Sequence, residues 1–174
     1  MESFPIWSWQ PIANAAGIRM ARMRDLGSLF ADYATYHRTP GNKWFHRFGI
    51  PLIMLGGLGM LARIPIVPYV DAAVVLIALA AVVYFILDWR LAVMMLIVSI
   101  AFYSAGAAVP FWINVALFVA GWILQFVGHS VYEKRQPAFL TNAMHLLVGP
   151  LWILNDMVHV VPATSSAPAP TPSH

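Results

Sequence analysis

The sequence predicts an all-α membrane protein: a polytopic helical bundle of four membrane segments, with a fifth left open, preceded by an amphipathic helix. The chain of 174 residues is 60% hydrophobic and 10% charged, with a mean hydropathy of +0.72. Soluble domains carry roughly 25% charged residues. Long apolar stretches separated by short polar turns indicate a single membrane-embedded domain.

The N-terminal region is not predicted to span the membrane. Residues 1–17 contain prolines and a glutamate and lack the basic start of a signal peptide, so we interpret them as an N-terminal extension. From Ile18 to Tyr36, apolar residues recur at helical spacing among charged ones, which predicts an amphipathic helix in the membrane interface. The run Pro40-Gly41-Asn42 is expected to end this helix.

Four apolar segments follow. The first, Phe48 to Ala62, is glycine-rich and shorter than the roughly 20 residues of a full crossing. A fifth apolar stretch, Ala143 to Val161, contains histidines, a proline and an aspartate, and we expect an interfacial or re-entrant helix there, with a fifth crossing as the alternative. Residues 162–174 are rich in Pro, Ala, Ser and Thr and predict a disordered tail. Of the four apolar segments, the second is Ile66–Leu87, the third is Leu91–Val109 and the fourth is Phe111–Gly128.

The distribution of basic residues predicts the orientation. Six precede the first segment, whereas the opposite loops offer only Arg63. By the positive-inside rule, the N-terminus, the turn at Asp88 and the end of the fourth segment are cytoplasmic. The predicted location is the inner membrane of a bacterium or the endoplasmic reticulum of a eukaryote. We interpret the basic residues as topology signals and headgroup contacts, so the expected partner is the lipid bilayer and not a nucleic acid.

Three histidines lie at the edges of the apolar segments: His37, His46 and His129. An even number of crossings would return the chain to one side, where the three imidazoles could share a metal ion; three crossings would separate them. Neutral imidazole is the commonest metal ligand. Because the chain has no cysteine, the other ligands must be His, Asp, Glu or water. Such a set suits Fe(II), Zn(II) or Cu(II). In the alternative interpretation the three histidines are merely interfacial.

Two further residues are candidates for this site. Glu133 lies four residues after His129 and on the same helix face if the fourth segment continues. It could ligate the metal, orient His129, or pair with Lys134 or Arg135. His145 could be a fourth ligand or face the interface, whereas we expect no role for the remaining histidines, His159 and His174.

Two motifs resemble a known family. They are YATYHRTPGNKWFH at residues 33–46 and GWILQFVGHSVYEKRQPA at residues 121–138. Their residues and their order resemble the family of the yeast endoplasmic-reticulum 2-hydroxy fatty acid dioxygenase, which acts in the breakdown of phytosphingosine to odd-numbered fatty acids. The likeness extends from about residue 26 to about residue 150. At position 145 the family pattern has Gln where this chain has His.

The resemblance implies an Fe(II)-dependent α-oxidation, in which a 2-hydroxy long-chain fatty acid reacts with O2 and loses one carbon. No 2-oxoglutarate is implied, because the substrate itself can donate the electrons. Residues 18–161 would form one membrane-embedded, dioxygenase-like domain. The implied iron ligands are His37, His46 and His129, with Glu133 or His145 completing the site. The basic residues that would attract the substrate carboxylate are Arg38, Lys43, Lys134 and Arg135.

Two other classes of function stay open from the sequence. One is a b-type haem protein in which two of these histidines are axial ligands. The other is a membrane scaffold or lipid-binding protein without enzymatic activity, in which the histidines hold no metal.

Overall fold

The computed structural model describes residues 26–134 and 143–161, and this part of the chain is predominantly helical. Six α-helices, a short π-helical segment and one two-stranded hairpin follow one another along the chain. In order, they are α1 Leu26–Thr35, α2 Pro40–Leu61, β1 Pro65–Val67, β2 Val70–Asp71, α3 Ala72–Leu87, α4 Trp89–Ala108, α5 Phe111–Val127, the π-helical segment Gly128–Glu133 and α6 Met144–Val158.

The first long helix, α2, begins earlier than the hydropathy predicted. Thr39 is its N-cap, with a side chain that accepts from the Asn42 N–H, and Pro40 occupies the first turn. Proline is favoured there because its missing N–H would have no partner. Pro40 therefore starts the helix as well as separating it from α1. At 22 residues, α2 is long enough to cross a membrane, unlike the short segment predicted from Phe48 to Ala62.

The prediction of a helix from Ile66 onward was wrong at its start. Residues Pro65–Val67 pair antiparallel with Val70–Asp71, and Tyr69 between them has a left-handed backbone with φ 68°. Prolines in this region cannot donate helical hydrogen bonds. Helix α3 begins only at Ala72, where the Asp71 side chain accepts from the Val74 N–H. The hairpin is the exception to the predicted all-α fold within the described residues.

The predicted number of membrane crossings is not confirmed by helix length and composition. Among the described residues, three helices are long and apolar enough to cross a membrane: Pro40–Leu61, Trp89–Ala108 and the continuous helix Phe111–Glu133. The apolar helices α3 and α6 are shorter, at 16 and 15 residues. Four or five crossings are therefore not confirmed. Many large apolar side chains of the bundle are exposed, as expected for lipid-facing helices.

The predicted N-terminal amphipathic helix is not confirmed, because the structure describes only the part of it from residue 26 onward. Its described portion is α1, which buries Leu26, Phe30 and Tyr33. These side chains join a core with residues of α3, α4 and α6, so α1 packs onto the bundle. The extension at residues 1–17, the start of the predicted helix and the tail at 162–174 lie outside the described residues.

Close approach of helices α2 and α5 sets the position of the site. A Cβ atom on Gly121 of α5 would lie 2.7 Å from the carbonyl oxygen of Gly49 on α2, and one on Gly106 of α4 would lie 2.7 Å from the Cα of Gly59. Glycine permits such backbone contact, as is common between membrane helices. The start of α2 is thereby fixed against the end of α5.

Candidate metal centre

Three histidines from separate elements meet at this end of the bundle. His37 lies in the connection between α1 and α2, His46 lies in α2, and His129 is the second residue of the π-helical segment. π-helical turns occur frequently at functional sites. Four consecutive helices, α2 to α5, run between His46 and His129, so the chain returns to the end from which it started.

The three imidazoles form a buried cluster. One nitrogen of each residue lies within 4.8 Å of the other two. The Nε2 atoms of His37 and His46 are 2.9 Å apart, and the ring of His129 has centroid distances of 5.0 and 4.8 Å to theirs. All three residues are at most 3% exposed. The structure thus brings together the three histidines that the sequence singled out.

Backbone carbonyls orient two of these rings. The carbonyl oxygen of Tyr33 lies 2.7 Å from His37 Nδ1, and that of Asn42 lies 2.9 Å from His46 Nδ1. Because a carbonyl only accepts, each Nδ1 donates and leaves a lone pair on Nε2. The pKa of His37 is lowered to about 4, chiefly because burial disfavours the charged ring. A neutral imidazole is the form that binds a metal ion.

Two observations indicate that the cluster of three histidines suits a bound cation. Two Nε2 lone pairs 2.9 Å apart repel each other unless a cation or a proton lies between them. In addition, His129 Nδ1 is buried and has no hydrogen-bond partner among the described residues. Unpaired buried polar atoms are rare in folded proteins and often mark a functional site. The three ring centroids lie 4.2, 5.0 and 4.8 Å from one another, so no pair leaves room for a porphyrin between its rings, which argues against the haem alternative.

Glu133 joins two elements of the site through contacts that the sequence did not predict. Its Oε1 accepts from the Thr39 N–H at 2.9 Å, the Thr39 hydroxyl at 3.0 Å and the Asn42 Nδ2 at 3.3 Å. It therefore ties the π-helical segment carrying His129 to the connection carrying His37. Its predicted role as a metal ligand stays a prediction.

The structure places His145 outside the cluster of three. Its Nε2 lies 2.8 Å from the Oδ2 of Asp32, and its ring contacts the rings of Tyr33 and Tyr36 edge-on. The sequence did not identify Asp32, because no local pattern links residues 113 positions apart. Tyr33 was likewise missed as a support: its ring stacks on His37 with centroids 4.0 Å apart.

Three of the four predicted basic residues are described, and they lie at the same end of the bundle as the cluster. Lys134 is exposed and has a left-handed backbone with φ 52°. Arg38 is exposed beside His37, and Lys43 Nζ lies 5.8 Å from the centre of the Trp152 ring. Arg135 lies outside the described residues.

A cavity of about 440 Å³ adjoins the histidine cluster. Ligand pockets for small molecules have typical volumes of about 300–1,000 Å³. Gln125 and His145 add polar groups to its lining, and the Gln125 Nε2 is buried without a partner among the described residues. The rest of the lining is largely apolar and includes Ile50, Ile53, Met54, Leu76 and Leu147. The pocket can therefore accept an amphiphile with a polar end at the histidines and an apolar chain beyond them.

Fold and site together define a helical, membrane-type protein with a candidate three-histidine metal centre beside an apolar cavity. The sequence profile of the family described as "2-hydroxy-palmitic acid dioxygenase Mpo1-like" matches residues 23–160, and the chain belongs to this family. It is 34% identical over 139 residues to the 2-hydroxy-palmitic acid dioxygenase MPO1 of Saccharomyces cerevisiae, covering 77% of this chain and 80% of that protein. The family predicted from the two motifs is confirmed. No solved structure shows a significant match.

Proposed function

We propose that this protein is an Fe(II)-dependent dioxygenase that shortens 2-hydroxy long-chain fatty acids by one carbon at the membrane interface. The family and the name of the yeast relative support this substrate class. The observation that carries the metal dependence is the buried cluster of His37, His46 and His129. A neutral nitrogen set without thiolate suits Fe(II).

The proposed reaction balances without an additional reductant. A 2-hydroxy acid and O2 give the acid one carbon shorter, CO2 and water; the bond between the carboxyl carbon and C2 breaks. The substrate loses four electrons, which is the number that O2 takes up. When bound, the iron would supply the activation of O2. Dependence on 2-oxoglutarate is therefore not expected.

The residues around the centre support binding of the substrate. The apolar wall of the cavity would bury the acyl chain, at about 0.8 kcal/mol for each buried CH2. The basic residues at this end would attract the carboxylate from the bilayer surface: the exposed Arg38 and Lys134, the half-buried Lys43, and Arg135. We assign this end and the N-terminus to the cytoplasmic side on the distribution of basic residues.

The test is a product assay on protein purified anaerobically and loaded with Fe(II). With 2-hydroxy-palmitic acid and O2, the acid one carbon shorter should form, and adding 2-oxoglutarate should not raise the rate. Palmitic acid and the 3-hydroxy acid of the same length are the matched controls. Both should be poor substrates, because neither carries an oxygen on C2, the carbon next to the carboxylate. Equal turnover of palmitic acid, or strict dependence on 2-oxoglutarate, would contradict the proposal.

A further inference from the structure

One polar residue of the cavity is held in place by a partner outside the histidine cluster. The side chain of His145 is 3% exposed, and its Nε2 lies 2.8 Å from the Oδ2 of Asp32, whose side chain is 54% exposed. The rings of Tyr33 and Tyr36 contact the imidazole edge-on, with centroids at 5.8 and 5.5 Å. His145 therefore has a fixed orientation in the lining of the same cavity as the three clustered histidines.

The hydrogen bond between His145 Nε2 and Asp32 determines whether His145 Nδ1 donates or accepts a hydrogen bond. A carboxylate oxygen only accepts, so His145 Nε2 carries the hydrogen, and Nδ1 of a neutral ring is then an acceptor. This Nδ1 is buried, and no described residue donates to it. An acceptor buried without a donor is costly to a folded protein. A ligand in the cavity that His145 lines could supply the missing donor with an O–H or N–H group.

We infer that His145, held by Asp32, accepts the hydrogen of the substrate's 2-hydroxyl group and thereby selects 2-hydroxy acids. The inference rests on the proposed function, since it takes a 2-hydroxy fatty acid as the ligand. His145 is then a substrate-contacting residue and not a fourth metal ligand, and Asp32 is a positioning residue. Sites that hydrogen-bond a substrate hydroxyl discriminate against analogues without that hydrogen.

The test compares a 2-hydroxy acid with the 2-oxo acid of the same chain length. Both carry an oxygen on C2 beside the carboxylate, but only the hydroxyl group has a hydrogen to donate. Dissociation constants of both would be measured by equilibrium dialysis, without O2, on iron-loaded protein in detergent. Partitioning into detergent cancels when the ratio of the two constants is compared between variants. Iron content would be measured on the same samples.

In the wild-type protein the 2-hydroxy acid should bind more tightly than the 2-oxo acid. His145→Leu should reduce this preference by about five- to tenfold, the usual effect of one hydrogen bond, with iron content unchanged. His145→Gln should retain most of the preference, because its amide oxygen still accepts. Asp32→Ala should lower the preference while leaving His145 in place. If His145→Leu does not fold, the preference measured in Asp32→Ala tests the inference instead.

Two results would overturn the inference while leaving the proposed function intact. One is an unchanged preference in both His145→Leu and Asp32→Ala. The other is loss of iron in His145→Leu from a folded protein, which would make His145 a metal ligand. Failure of the wild-type protein to shorten any 2-hydroxy acid would instead overturn the proposed function, and the inference with it.

Discussion

The Nε2 atoms of His37 and His46 lie 2.9 Å apart, although the first residue lies in a connection and the second in a long helix. Each ring donates its other nitrogen's hydrogen to a carbonyl four residues earlier, Tyr33 for His37 and Asn42 for His46. The same local hydrogen bond therefore orients the Nε2 lone pairs of both rings toward each other. Such outer contacts fix the tautomer and orientation of metal-ligating histidines.

The first prediction concerns metal content. His46→Ala should lower iron affinity and activity by about 10–100-fold or more, because one of three clustered nitrogens is lost. Iron per protein would be measured by mass spectrometry on anaerobically purified samples. The matched control is His159→Asn: His159 is exposed and has a left-handed backbone, φ 54°, which Asn tolerates. Full iron content in a folded His46→Ala protein would exclude that residue from the site.

The second prediction separates two roles of Glu133. Its Oε1 accepts three hydrogen bonds from Thr39 and Asn42, so Glu133→Ala should loosen His129 relative to His37 and weaken iron binding by about tenfold. Glu133→Gln keeps an oxygen acceptor and should remain close to the wild type. Iron affinity of both variants would be compared by competition with a chelator. Equal, severe loss in both would indicate that Glu133 is itself a ligand.

The third prediction concerns the packing of α2 against α5. A Cβ on Gly121 would lie 2.7 Å from the Gly49 carbonyl oxygen and from the Ile53 side chain. Gly121→Ala should therefore push the two helices apart and lower the free energy of unfolding by about 1–3 kcal/mol. Iron content should fall too, because α2 carries His46 and the extension of α5 carries His129. Thermal unfolding in detergent and metal analysis would measure both effects.

Gly57→Ala on α2 is the control for this substitution. A Cβ there would lie 3.6 Å from atoms of the Phe118 ring, which is ordinary van der Waals contact. Stability and iron content should remain unchanged or rise slightly, since alanine favours helix. If both alanine variants behaved alike, close approach at Gly121 would not be what positions the histidines.

The fourth prediction concerns topology. The chain has no cysteine, so single introduced cysteines can be labelled without background. Arg38→Cys and Ser130→Cys, both at exposed positions near the cluster, should react with an impermeant reagent from the same side of sealed vesicles. Val67→Cys in the hairpin, 55% exposed, should react from the opposite side. Labelling of residues 38 and 130 from opposite sides would contradict the placement of the three histidines at one membrane face.

The sequence by itself determined the apolar class and the family, and it singled out His37, His46 and His129 without deciding whether they meet. Composition is a sum over residues and each motif is a short stretch of sequence, so both can be recognised without knowing the fold. Hydropathy could not locate the start of α2, because the cap at Thr39 and Pro40 precedes the apolar residues. Nor could it exclude the strands at 65–71, where apolar content hid the effect of the prolines.

Only the tertiary structure decided how the site is supported. Glu133 meets Thr39 across 94 residues of chain, and His145 meets Asp32 across 113. Such pairs depend on the rotation and depth of each helix, which glycine contacts such as that between Gly121 and Gly49 set. Hydropathy does not predict this rotation and depth, because an apolar helix presents similar side chains to the lipid and to neighbouring helices. The separation of His145 from the cluster of three follows from this packing and from no pattern in the sequence.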